Sequence, residues 1–406
     1  MNKLKSLLAE FDVAALLQPS VQRFIREHEH DDPYQLALQA HRYPDYPIPA
    51  IAEQIQARRK AKDKLPEWYA NQEVLFPPSL SLEQCSSQLA AQFKQSLVSG
   101  QRLVDLTGGA GVDTYYLSRS FQQTDYVEQQ PQLTEIAQHN FSALGAGPIQ
   151  THTTTAETFL ATLHEPVDCF YLDPARRDVH ARKVFQLADS SPNILALQEV
   201  LLAKAPTVLL KTAPLLDIDA TVKALGTVAQ VYVVAVNGEV KEVLYLLSRE
   251  NPADPLITAV NVGRPDEPFS FYRAQEAEAE ATYSEPLRYL YEPHAALMKA
   301  GAFKLIAQRL GLHKLHSNTH LYTSDRRVSD FPGRTFVCEV VVPYQKKAVR
   351  NHLPHSKANI TARNFPDSVA SIRKKLGLKD GGDTYLLATT LSDGKSGILV
   401  ARKPTD

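Results

Sequence analysis

Two stretches of this 406-residue chain set acidic side chains against glycine or proline in patterns that suit ligand chemistry better than packing. In the first, an apolar run ends in Asp105 and passes directly into Leu106-Thr107-Gly108-Gly109-Ala110-Gly111, with Asp113 two positions further on. Glycines allow a ligand close to the backbone because no side chain stands in the way. A dinucleotide pyrophosphate needs G-x-G-x-x-G spacing and the positive end of the next helix. Here Gly109-Ala110-Gly111 runs into Val112-Asp113-Thr114, so the third glycine is missing and two acids flank the loop. Carboxylates at Asp105 and Asp113 repel phosphate and can pair with an ammonium. Glu128 lies 23 positions after Asp105 and can accept ribose hydroxyls, while Glu157 can reach an adenine amine. The acids thus describe a site for a cationic, phosphate-free nucleoside. The second stretch, Asp173-Pro174-Ala175-Arg176-Arg177, joins with Lys211 as the candidate place of reaction.

These residues need a frame that brings them to one edge. From residue 102 onward, short β-rich runs alternate with helical stretches, the pattern of a parallel sheet with crossover helices. The expected strands are 102–106, 125–128, 148–153, 167–172, 206–212, 230–236 and 241–248, the last two separated by the hairpin signal Asn237-Gly238. Asp105, Glu128, Asp173 and Lys211 then fall at the carboxyl ends of strands, where open α/β sheets bind their ligands. Seven strands with a terminal antiparallel hairpin match the Rossmann-like class I methyltransferase fold better than a six-stranded dinucleotide fold. The cofactor expected on this reading is S-adenosyl-L-methionine, with a nicotinamide dinucleotide as the alternative.

Methyl transfer from a sulfonium asks the protein mainly to position the acceptor and exclude water. Asp173-Pro174-Ala175-Arg176 is related to the Asp-Pro-Pro-Tyr motif of enzymes that methylate exocyclic amines of nucleobases, but Ala175 replaces the second proline and Arg176 the aromatic. Arg176 and Arg177 can stack on a base or hold a phosphate through planar guanidinium groups; a salt bridge to Asp178 or Asp168 is the alternative. Lys211 is divided between substrate contact and an ion-paired side chain. The thirteen histidines show no metal spacing, and Cys85, Cys169 and Cys338 are too far apart for a zinc knuckle, so no metal is expected.

A 406-residue chain exceeds one growing core, and 44% hydrophobic with 22% charged residues excludes wholesale disorder. No apolar run approaches a membrane span and the start is unlike a signal peptide, so a cytoplasmic location is expected. Before the sheet, residues 1–64 read as a helical N-terminal domain, with a basic run from Arg58 to Lys64 suited to nucleic acid or to a solvated helix face. Residues 65–250 hold the sheet, 251–334 a small α+β domain with an amphipathic helix over Leu297–Leu310, and 335–406 a last α+β domain. Residues 341–406 carry twelve Lys/Arg against five Asp/Glu, an excess suited to a polyanion.

The chain resembles the bacterial class I methyltransferases that carry a C-terminal THUMP-like domain. The resemblance rests on Leu65-Pro66-Glu67-Trp68, Phe76-Pro77-Pro78, Leu82-Glu83-Gln84-Cys85-Ser86-Ser87, the Asp105–Gly109 loop, Tyr171-Leu172-Asp173-Pro174-Ala175-Arg176-Arg177, Arg363-Asn364-Phe365-Pro366, Lys374-Lys375-Leu376 and Lys379-Asp380-Gly381-Gly382-Asp383. It implies that 251–334 is ferredoxin-like, that 335–406 resembles the THUMP module of RNA-modifying enzymes, and that Gln84 and Ser86 lie over the cofactor. An RNA substrate, transfer or ribosomal, is the expectation, with Arg363, Arg373, Lys374, Lys375 and Lys379 as phosphate contacts. A protein or small-molecule acceptor is the alternative.

Overall fold

The computed structural model describes residues 12–176, 187–250, 252–265 and 267–405, and divides them into two compact units. The first comprises the chain up to Ala229 together with Val243–Pro252; the second comprises Gln230–Glu242 and Ala253 onward.

The sheet of the first unit is built from β1 (Gly100–Asp105), β2 (Phe121–Glu128), β3 (Ile149–Thr153), β4 (Cys169–Leu172), β7 (Thr207–Thr212) and the later part of β9 (Glu239–Ser248); between β4 and β7 in the chain, β5 (Ala175–Arg176) and β6 (Ser190–Ser191) form a separate short antiparallel pair. The order is β3-β2-β1-β4-β7-β9, parallel throughout except for β9 against β7. Chain order departs from spatial order at β1, where β2 lies on one side and β4 on the other. That switch point opens a crevice at the carboxyl ends of the strands. β1 and β4 are buried on both faces at Leu103, Val104, Phe170 and Leu172, as parallel strands covered by helices must be.

The helices of the first 64 residues share their packing with the sheet. Helix Ile48–Lys64 buries Ala57 and Ala61 in one cluster with Trp68, Phe76, Tyr115, Tyr116, Tyr126 and Phe141. Its basic run is divided: Arg59, Lys60 and Lys62 are exposed, while other members are spent on backbone carbonyls. Arg58 is buried and donates to the carbonyl of Tyr69 at 3.0 Å, Arg59 binds the carbonyl of Glu29, and Lys64 caps the carbonyls of Leu82 and Glu83. These bonds satisfy carbonyls that have no helical or ladder partner.

In the second unit, Asn237 and Gly238 after β8 (Val228–Val236) both take positive φ, as a type I′ hairpin turn requires. The stretch after Pro252 adds further strands there: β10 (Leu256–Val262) pairs with β8 in parallel, and β11 (Phe269–Phe271) with β10 antiparallel. A separate sheet follows, made of β12 (Thr282–Tyr283), β13 (Tyr289–Pro293), β14 (His313–His316), β15 (Thr319–Ser324), β16 (Gly333–Pro343), β17 (Asn359–Arg363), β18 (Thr384–Thr390) and β19 (Ser396–Arg402), in the order β12-β14-β15-β13-β16-β19-β18-β17. Period-2 alternation gives it two apolar faces: Leu387, Leu399 and Ala401 pack with Leu290, Leu321 and Phe336, while Leu386, Ile398 and Val400 pack with Val349, Ile372 and Leu376 of two helices. The helix expected over Leu297–Leu310 is two, Ala295–Ala300 and Leu305–Leu310, because Gly301 takes φ +84° and ends the first.

Candidate active site

Asp105 is the last residue of β1 and its carboxylate is buried. Oδ1 accepts from the backbone N of Thr107 at 2.9 Å, and Oδ2 from the hydroxyl of Thr114 at 2.6 Å. Burial pushes its pKa up to about 7, with Asp113 and Asp173 adding to the rise and the Thr114 and Thr107 hydrogen bonds opposing it. Glu128, at the end of β2, accepts from Gly109 N at 3.0 Å and from Gln130 N at 2.9 Å, so β2 holds the glycine loop directly. Burial raises this carboxyl as well, against the backbone hydrogen bonds.

Gly108 is required by close approach: a Cβ there would lie 2.2 Å from Cε2 of Tyr126, whose hydroxyl donates to the Gly109 carbonyl at 2.7 Å. Gly109 takes φ +54°, a left-handed conformation that costs glycine nothing. Gly108→Ala is expected to destabilise the protein by about 1–3 kcal/mol through overpacking, read as a lowered urea midpoint. An unchanged midpoint would show that the ring yields freely.

Asp113 is where the structure differs most from the sequence reading. It lies in helix Val112–Ser118, and Oδ2 accepts from Ser86 Oγ at 2.8 Å and from the Tyr171 hydroxyl at 2.6 Å. Lys94 Nζ, fully buried, stands 3.1 Å from Oδ1 and 3.0 Å from Ser86 Oγ. Burial pushes the Asp113 carboxyl up, but Lys94 and Lys211, with the Tyr171 and Ser86 hydrogen bonds, outweigh it and hold the group below the usual carboxylate range. Asp113 thus has a cation of its own in Lys94.

Asp173 follows β4. Its backbone N donates to Thr107 Oγ1 at 2.6 Å, which ties the second motif to the glycine loop, and its carboxylate pairs with Lys211 Nζ at 2.5 Å. Asp173, Pro174, Leu187, Ser190, Lys211, Thr212 and Ala213 line a cavity of about 90 Å³. The Arg176 side chain and Arg177 lie outside the described residues. Gln84 and Glu157 are exposed, the latter in the first turn of helix Ala156–Thr162. The loop residues, Asp105, Asp113, Glu128, Asp173, Lys211 and Ser86 are brought together; Lys94 and Tyr126 are members that sequence reasoning missed, and Tyr171 entered it only as part of a motif, with no role at the site. Among the described residues no cluster of His, Cys, Asp and Glu could hold a metal ion, and no helix is long and apolar enough to cross a membrane.

The five C-terminal cations divide. Arg363 bonds Glu292, Arg373 pairs with Asp380 at 2.5 Å and Lys375 with Asp367 at 2.7 Å. Lys374 and Lys379 are exposed without an ion-pair partner among the described residues.

A Rossmann-like sheet with acids at the ends of β1, β2 and β4, followed by two α+β modules, defines a class I methyltransferase with an appended C-terminal region. Comparison with known proteins agrees. Residues 289–332 match the model of a ferredoxin-like domain and 333–403 that of a THUMP-like domain. The crystal structure of a candidate methyltransferase from Porphyromonas gingivalis W83 is 35% identical, covers 97% of this chain and 100% of its own, and superposes with a TM-score of 0.86. The chain belongs to this family of class I methyltransferases with a C-terminal THUMP-like domain. Two shorter structures overlap it in part. A candidate methyltransferase from Streptococcus mutans, in complex with SAH, is 16% identical over 40% of this chain and 96% of its own (TM-score 0.30). An rRNA methylase from Streptococcus thermophilus is 17% identical over 39% and 93% (TM-score 0.30). No curated protein matches the sequence.

Proposed function

We propose that this protein transfers a methyl group from S-adenosyl-L-methionine to a structured RNA, transfer or ribosomal, which its THUMP-like domain helps to hold in the cytoplasm. The observation that carries the cofactor reading is the pair Asp105 and Glu128: both carboxylates are buried, both are bonded by neutral groups, and neither has a cation partner among the described residues. Asp113 and Asp173, by contrast, each face a lysine. Two uncompensated buried carboxylates are costly unless a ligand supplies positive charge and hydroxyl donors. The donor set fits this cofactor and disfavours a pyrophosphate.

When bound, the cofactor supplies an electrophilic methyl group. Asp105 and Glu128 would hold its charged and hydroxyl-bearing parts. The Thr107 bond to Asp173 N keeps the acceptor side in fixed register with the loop. Lys211 orients the Asp173 carboxylate, which can take a hydrogen bond or a proton from the acceptor, and Pro174 stiffens the backbone carbonyl beside it. Calorimetry tests the reading: S-adenosylmethionine should bind and NAD should not, and tighter NAD binding would remove it.

The RNA reading is supported by the THUMP-like match and by an exposed basic surface. Lys357 and Lys379 lie opposite each other in a parallel bridge, a like-charge pairing that costs stability unless an anion neutralises it. Nearby, Arg350 caps the Gly377 carbonyl at 2.7 Å, with Lys346 and Lys374 exposed beside it. Deleting residues 336–406 would strip β13 of its neighbour β16, so point variants are the better test. Neutralising Lys346, Lys357, Lys374 and Lys379 to glutamine should lower the slope of log K against log salt for tRNA by roughly one per lost phosphate contact. An unaltered slope would take RNA off this face.

A further inference from the structure

The motif Arg363-Asn364-Phe365-Pro366 plays no part in the methyltransferase site, yet it builds one of the most organised charge clusters of the second unit. The Glu292 carboxylate at the end of β13 has a side chain only 3% exposed. Its Oε2 accepts from Arg334 Nε at 2.9 Å and from Arg334 Nη2, and its Oε1 accepts from Arg363 Nε at 3.2 Å and Nη2 at 3.1 Å. Arg334 Nη2 also donates to Thr361 Oγ1 at 3.1 Å. The three residues come from β13, β16 and β17, and β17 is the far edge strand of the eight-stranded sheet. The sheet therefore curls until that edge meets the strands near its other end, where Asn364 Nδ2 bonds Thr319 Oγ1 of β15 at 3.2 Å; Thr390 Oγ1 of the adjacent β18 donates to the Asn364 carbonyl at 2.6 Å. Asn364 is one of two non-glycine residues with positive φ among the described residues, at +51°, and such corners concentrate at functional positions.

The geometry points to a phosphate-binding site at this corner, formed by the Nη1 edges of Arg334 and Arg363. Two guanidinium groups share one carboxylate, which leaves a net positive charge, and no second carboxylate bonds either arginine among the described residues. Both arginine side chains keep contact with solvent, at 52% and 37% exposure, and neither Nη1 has a partner. A merely structural ion pair for Glu292 needs one arginine; the second is surplus to that task. Because Glu292 fixes both forks from below, little side-chain entropy remains to be lost when an anion arrives. A phosphate group has enough acceptor oxygens to span two forks on different strands, whereas one fork satisfies a carboxylate. The neighbourhood reports the same field: His320 Nδ1 is buried without a hydrogen-bond partner, and burial, then Lys314 and Arg363, push this imidazole down to about 4.

The proposal depends on the RNA reading only for the source of the phosphate, so the test separates the two. The full-length protein would be titrated with inorganic phosphate, with a short oligoribonucleotide bearing a 5′-phosphate and with the same oligonucleotide lacking it, while the His320 ring is followed by NMR. Binding of phosphate should raise the His320 pKa, since an anion offsets the Arg363 charge. Arg334→Gln, which leaves Glu292 paired with Arg363 and should fold normally, is expected to weaken phosphate binding about tenfold or more. Arg334→Lys should restore part of it. Phosphate binding to a folded Arg334→Gln protein with wild-type affinity, or an unmoved His320 at saturating phosphate, would overturn the site. Phosphate binding without any affinity for either oligonucleotide would leave the site standing and defeat the RNA reading instead.

Discussion

Lys94→Met is expected to destabilise the protein by about 3–5 kcal/mol, the cost of leaving a buried carboxylate without its cation. Lys94 is fully buried, 3.1 Å from Asp113 Oδ1, and its ammonium also donates to Ser86. Methionine matches the lysine stem in length and is apolar, so the variant tests charge and not volume. Asp113 would retain its Ser86 and Tyr171 hydrogen bonds but would lose the nearest positive charge. The sign with pH follows from the depressed carboxyl. In wild type, stability is present above the unfolded carboxylate pKa and is lost as pH falls through the lower folded value; in Lys94→Met that acid-side loss should begin at higher pH. Adding Asp113→Asn to Lys94→Met should recover most of the loss, because both charges then leave together. Urea unfolding of the two singles and the double gives the coupling directly. A Lys94→Met cost below about 1 kcal/mol, the range of exposed pairs, would show that water reaches this lysine.

Lys94 also marks how far the sequence was legible. The acid at the end of β1 was readable because a strand ending in a carboxylate before glycines has few structural explanations, and the acid at the end of β2 was readable from its place 23 positions further on. The lysine that neutralises Asp113 carries no such mark. Its one signal was position: Ala90, Ala91 and Lys94 share a face of helix Gln88–Gln95, and that face is buried. In the basic run at Arg58–Lys64, charge density separates no buried member from an exposed one, because it says nothing about carbonyls from Tyr69 or Leu82 that approach from distant segments. Arg363 was readable as a candidate phosphate contact, whereas the aiming of its fork by Glu292, 71 positions away, is visible only once the sheet curls. The helix expected over Leu297–Leu310 was apolar at the right period, and what periodicity misses is the left-handed turn at Gly301 that splits it. The class of fold follows from local pattern; which charges are spent within the protein follows from tertiary contacts.

Asp105→Asn is expected to stabilise the ligand-free protein at pH 8 while abolishing cofactor binding. Asparagine can keep the hydrogen bond from Thr107 N, and its amide can donate to the Thr114 hydroxyl, so the variant retains the local bonds and loses the buried charge. Because the folded pKa of Asp105 stands at about 7, above its unfolded value of 3.8, the folded state holds the extra proton between these values. Stability therefore falls as pH rises through that window, by roughly 1.4 kcal/mol per pH unit at most, and levels off above it. Asp105→Asn should lack this slope. The same carboxylate must be ionised to attract a cationic nucleoside, so S-adenosylmethionine affinity should increase as pH rises through about 7 and binding at pH 6 should release a proton. Calorimetry in two buffers of different ionisation enthalpy measures that release. A pH-independent affinity, or an Asp105→Asn protein that binds the cofactor as wild type does, would show that Asp105 supports the loop and leaves the cation to Glu128. The protein would then keep a costly buried acid for packing alone, although Thr107 and Thr114 could bond a neutral side chain equally well.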